Sequence, residues 1–177
     1  MKIVISIDSL KGSLTSIEAA NAIKKGILSV DNKSDVVIMP LADGGEGTVE
    51  ALVQGMNGEE KVISVTGPIN EKVNATYGIL KETNTAIIEM AQASGLPLVP
   101  AELRNPLNTT TYGVGEIIKE AIEKGCRNFI VGIGGSATND CGVGMLQALG
   151  FEFYDENDNL VGLGGKVLNQ IKRINTD

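Results

Sequence analysis

The segment YGVGEIIKEAIEKGCRNFIVGIGGSATND, Tyr112–Asp140, decides the fold class. Its first half repeats apolar residues at Val114, Ile117, Ile118, Ala121 and Ile122, the spacing of one helical face. A short apolar run, Phe129–Ile133, then reads as a buried strand, and Gly134–Asp140 as a glycine-rich loop. Helix, strand and loop in that order predict an α/β protein with a parallel sheet flanked by helices.

The same alternation extends outward. Lys2–Ile7 reads as a strand, and Thr15 with Glu18 forms a capping box before a helix carrying Ile17, Ala20, Ile23, Ile27 and Leu28. Val36–Met39 is a second strand, Thr48–Gln54 a short helix and Lys61–Val65 a third strand. Val73–Leu80 and Thr85–Met90 flank Lys81–Asn84, which predicts an antiparallel hairpin. The stretch 91–111, with three prolines, is predicted irregular and long enough to serve a site. Cys141–Leu149 reads as a helix, Phe151–Tyr154 as a strand and Lys166–Ile174 as a final helix. A lobe boundary is placed near Thr66–Asn70, dividing the chain into 1–66 and 67–177.

Composition narrows the function. The 177 residues are 42% apolar and only 3% aromatic, with 22 glycines and a net charge of −7. No basic stripe is interleaved with aromatics, so a nucleic-acid partner is excluded. No apolar stretch approaches the ~18 residues of a membrane span, and a membrane partner is likewise not expected. Two cysteines are too few for a disulfide framework, which points to a cytoplasmic, reducing compartment. There is no histidine. Any general base must therefore be Asp, Glu, Lys or Tyr, a restriction that phosphoryl transfer tolerates because it rests on positioning and charge.

Three loops follow predicted strands, where open α/β sheets place ligands. In Gly134–Asp140, Gly134 and Gly135 allow close backbone approach, while Ser136 and Thr138 offer hydroxyls to a phosphate. The plain alternative is a tight turn with Thr138 or Asn139 as a helix cap. Leu41–Thr48 carries Asp43 and Glu46 among three glycines, a donor set suited to Mg2+, or else a solvated turn. Asp8–Ser13 supplies Asp8, Lys11 and Ser13; a chain at −7 needs a real cation beside a nucleotide, and Lys11 is a candidate unless it is a surface lysine. Arg104, in the proline-containing stretch, suits the carboxylate of an organic acid, or else pins its loop through backbone carbonyls.

Five segments together resemble the bacterial-type glycerate kinase family: DSLKGS (Asp8–Ser13), LADGGEGT (Leu41–Thr48), IEMAQASGL (Ile88–Leu96), RNPLNTTTYGVGE (Arg104–Glu116) and IGGSATNDCGVGM (Ile133–Met145). The resemblance implies Rossmann-like and flavodoxin-like lobes and transfer of a phosphoryl group from ATP, with Mg2+, to glycerate; 2-phosphoglycerate is the favoured product. On that reading Asp43, Asp8 and Lys11 are catalytic. Gly134, Gly135, Ser136 and Thr138 hold the nucleotide, Arg104 and Ser13 the substrate, and Asp140 and Glu46 the metal. Homo-oligomerisation is left open. Cys141 stands where the family often has Gly. Family members are longer, so the 177-residue chain is expected to bind ligand without efficient turnover. Two other readings remain: a dinucleotide-binding module built on Gly132–Ala137 with Asp155 as the ribose acid, and a non-catalytic regulatory fragment.

Overall fold

The computed structural model describes residues 1–10 and 13–176 as a mixed α/β fold. β1 (Lys2–Ile5) and β2 (Asp35–Ile38) pair in parallel, with Ile5 opposite Ile38, and α1 (Ser16–Val30) crosses between them. The capping box is formed: the Thr15 hydroxyl accepts from Glu18 N–H at 3.2 Å, and Glu18 Oε2 accepts from Thr15 N–H at 2.9 Å. α1 lays Ala20 against Ile5 and Val36.

A second sheet follows the order β3–β4–β5–β6, formed by Glu59–Thr66, Lys72–Leu80, Thr85–Glu89 and Asn128–Gly132. β3, β4 and β5 are antiparallel neighbours, and β5 and β6 run parallel. The predicted hairpin is β4–β5, and Asn84 closes it with a left-handed φ of 50°. The 66–70 segment is the tight turn between β3 and β4, closed by Gly67 N–H donating to Glu71 O at 2.6 Å.

Alternation explains why all of β5 is buried. Ala86 and Ile88 face α4 (Tyr112–Glu123), packing with Val114, Ile117 and Ala121. Ile87 faces the other way, packing with Val49 and Val53 of α2 (Thr48–Gly55). Covered on both faces, a strand needs no polar stripe. Of the predicted α4 face, Ile118 packs at the margin of the core, whereas Ile122 is exposed.

The stretch 91–111 holds a one-turn helix, α3 (Ala91–Ser94), two 3-10 turns, and the buried run Thr109–Thr111. α5 (Val143–Ala148) starts two residues later than predicted and is followed by β7 (Glu152–Tyr154). The predicted helix Lys166–Ile174 is not there. Gly165–Gln170 forms a 3-10 turn docked on the 106–108 backbone, with Lys166 N–H donating to Leu107 O, and β8 (Arg173–Asn175) pairs antiparallel with β7. Tertiary packing wins here: Val167 joins Val143, Phe153 and Val161, and the Arg173 guanidinium stacks 3.8 Å from the Tyr154 ring centre.

Tyr77 lies in the main core with its hydroxyl unpartnered among the described residues, and burial pushes the phenol up to about 12 from its usual 10. A raised folded-state value means stability present below pH 10 is lost as pH climbs from 10 towards 12. An unsatisfied buried hydroxyl costs about 1–3 kcal/mol, so Tyr77→Phe should raise the urea midpoint and remove that alkaline loss. A lower midpoint would show that the hydroxyl has a stabilising partner.

Candidate active site

The three predicted loops meet along one edge. Leu41 N–H donates to Ile7 O at 3.2 Å, joining the loop after β2 to the segment after β1. Gly134 N–H donates to Gly44 O at 3.0 Å, joining it to the loop after β6. This second apposition requires glycine. A Cβ on Gly132 would lie 2.5 Å from Gly44 O, and one on Gly134 would lie 2.7 Å from Gly45 Cα. Asp8 is half-buried beside the junction, its Oδ1 accepting from Ser9 N–H at 2.7 Å. Asp43 is exposed on the middle loop, its Oδ1 accepting from Gly45 N–H at 3.0 Å.

The glycine-rich loop is held from below by the 94–96 backbone. Leu96 N–H donates to Gly135 O and Ala137 N–H to Ser94 O. Gly135 takes φ 73°, a left-handed conformation natural to glycine. The Ser136 and Thr138 hydroxyls lie 2.8 Å apart, and both residues line two cavities at once. One, about 270 Å³, also holds Arg104, whose Nε donates to Val99 O at 3.2 Å. The guanidinium thus does part of the loop-pinning that was its plain alternative, and it still lines the cavity. The other cavity, about 360 Å³, lies between β6 and α5.

Asp140, expected as a metal ligand, is corrected to a structural acceptor. It is 1% exposed, and its carboxylate accepts from the backbone N–H groups of Thr111, Gly142 and Gly144 and from the Thr111 hydroxyl. Its oxygens are spent on protein donors. Asp140 also takes the backbone donors at the start of α5, which is only six residues long. Cys141 holds φ 53°, a left-handed region that glycine enters without penalty.

Glu46 is exposed and lines a separate concavity of about 210 Å³ with Ser13, Thr15 and Gly47. Lys11 lies outside the described residues. Among the described residues no group of three or more acidic or thiol side chains is gathered for a metal. Mg2+ bound beside phosphates needs only one or two carboxylates, and Asp43, Glu46 and Asp8 fit that requirement where Asp140 does not.

Glu89 was not singled out from the sequence. It ends β5 at 2% exposure, and its Oε1 accepts from Val49 N–H at 2.7 Å, tying the start of α2 to the sheet. An acid closing the apolar run TAIIE was the available signal.

The dinucleotide reading is overturned by topology. β7 pairs with β8 and not with β6, so the 132–137 loop opens no βαβ unit. Asp155 is engaged in its own turn, accepting from Asn157 and Asn159 N–H at 2.8 and 2.9 Å.

Glycine loops gathered at the ends of parallel strands define an α/β protein of the class that places its ligands at that edge. The sequence profile described as "Glycerate kinase family" matches residues 3–177, and the chain belongs to that family. It is 55% identical over 174 residues to a glycerate 2-kinase of Escherichia coli K12, covering 98% of this chain and 46% of that protein. A glycerate kinase of Bacillus subtilis 168 is 51% identical with the same coverage. A crystal structure of a Salmonella typhimurium LT2 protein described as glycerate kinase 2 superposes with a TM-score of 0.90 at 48% identity, covering 98% of this chain and 46% of that one. The chain spans about half the length of the curated relatives it matches. Among the described residues, no helix is long and apolar enough to cross a membrane.

Proposed function

We propose that this chain carries the nucleotide- and acceptor-binding half of an enzyme that transfers the γ-phosphoryl group of ATP to glycerate, giving 2-phosphoglycerate. The observation that carries the reading is the shared wall: Ser136 and Thr138 line both the cavity that holds Arg104 and the cavity beyond it. A phosphoryl group held at those hydroxyls faces an acceptor on one side and its donor nucleotide on the other.

Gly134 and Gly135 let the backbone approach the phosphates, and Ser136 and Thr138 donate to them. Arg104 takes the glycerate carboxylate as a planar fork. Ser13 lines the separate concavity after β1, which shares no residue with the Arg104 cavity, so its substrate role rests on the family resemblance alone. Asp43, on the loop that touches Gly134, accepts the proton of the attacking hydroxyl, with Asp8 as the neighbouring candidate. Lys11 supplies the compact cation that balances charge in transfer. Asp43 and Glu46 would hold Mg2+, which when bound would offset the negative charge of the phosphates. The name of the Escherichia coli relative supports the 2-position.

Calorimetry on the purified chain tests the nucleotide part. ATP with Mg2+ should bind and NAD should not. Gly135→Val forces a β-branched residue into left-handed backbone at a cost of roughly 1–2 kcal/mol, reshaping the loop while the fold survives. ATP affinity should fall at least about tenfold, equivalent to 1.4 kcal/mol. Unchanged affinity would remove this loop from the nucleotide site.

A further inference from the structure

We propose that the cavity between β6 and α5 takes the purine base of the nucleotide. The assignment rests on the reading that Ser136 and Thr138 hold its phosphates.

The cavity's volume, about 360 Å³, falls within the range of roughly 300–1,000 Å³ typical of small-molecule sites. Its walls are of two kinds. Val131 and Ile133, at the end of β6, are 37% and 76% exposed, on one side of the strand, and Met90 and Met145 add thioethers. Polarisable thioethers and aliphatic side chains make a good surface for the face of an aromatic ring. Asn139 and Cys141 also line it. Asn139 is exposed, and a carboxamide offers both donor and acceptor to the edge of a base.

Charge separates the two cavities. Arg104 lines the smaller one, which suits a carboxylate. The larger has one charged lining residue, Asp140, whose carboxylate is buried and satisfied within the protein. A second anion would find no cation there, whereas an uncharged planar base would cover Val131 and Ile133. Because Ser136 and Thr138 border both spaces, phosphates seated on them leave the base on the apolar side and the acceptor on the arginine side.

Cys141 provides the readout. It is exposed at the cavity lining, while Cys126 is 1% exposed with its thiol pushed up by burial, an internal control. The purified chain is alkylated with iodoacetamide alone, with adenosine, with ATP and Mg2+, or with tripolyphosphate and Mg2+, and each cysteine is followed by mass spectrometry. Adenosine and ATP should slow Cys141 alkylation at least about fivefold, and tripolyphosphate should not. Ile133→Asn, uncharged and at a solvent-exposed position, should weaken ATP at least about tenfold and leave tripolyphosphate affinity unchanged. Protection by tripolyphosphate equal to that by ATP, or Ile133→Asn binding ATP normally, overturns the base site and leaves the phosphate reading standing. If neither ATP nor tripolyphosphate binds, the phosphate reading fails and takes the base site with it. Slow alkylation without ligand, accompanied by a dimer on size-exclusion chromatography, assigns this face to self-association and also overturns the proposal.

Discussion

Asp140→Ala is expected to destabilise the fold by about 3 kcal/mol or more, since each buried group left unsatisfied costs roughly 1–3 kcal/mol. Three backbone N–H groups lose their acceptor: Thr111, Gly142 and Gly144, at 2.8, 3.1 and 3.3 Å. The Thr111 hydroxyl loses it too, and that hydroxyl in turn accepts from Met145 N–H at 3.0 Å. The network therefore joins the buried threonine run, the start of α4 and the start of α5 through one carboxylate. Neighbouring glycines leave little slack, since a Cβ on Gly144 would lie 2.2 Å from the Thr110 hydroxyl. Asp140→Asn retains the shape and one acceptor oxygen, and should cost clearly less than the alanine change. Urea denaturation followed by circular dichroism measures both. An alanine variant within about 0.5 kcal/mol of the parent, the range of ordinary surface changes, would restore Asp140 as a candidate ligand.

What the sequence made legible was local. The Thr15–Glu18 box, the period of Val114, Ile117 and Ala121, and the polar residues Lys81–Asn84 between two apolar runs each state their structure within a few neighbours. The three loops were legible because glycines directly after apolar strands have few other uses. What stayed hidden depends on distant partners. Val167 and Ile171 carry a near-helical spacing, yet they serve a small core with Phe153 and Val161 from a 3-10 turn. Asp140 and Asp43 are the same residue type beside similar loops, but one is buried under donors from α4 and α5 while the other faces solvent. Nothing within either loop distinguishes them. Glu89 became visible only when Val49, 40 residues earlier, arrived opposite it. The resemblance named the family correctly, whereas the metal role expected of Asp140 met a carboxylate already engaged by protein donors.

The most direct test joins residues 1–177 of this chain to the remaining half of the Escherichia coli relative, which this chain matches at 55% identity over 46% of its length. ADP release is followed in a coupled assay with and without glycerate. A general base contributes about 10²–10⁴-fold, so Asp43→Asn in the folded chimera should lower kcat at least about a hundredfold. The 177-residue chain alone should bind ATP with little release, because misplacing the reacting groups by about 1 Å already costs about a hundredfold. The expected result is ADP release that depends on glycerate and is lost with Asp43. A folded chimera that releases no ADP on adding glycerate, or whose Asp43→Asn variant turns over as fast as its parent, would contradict it.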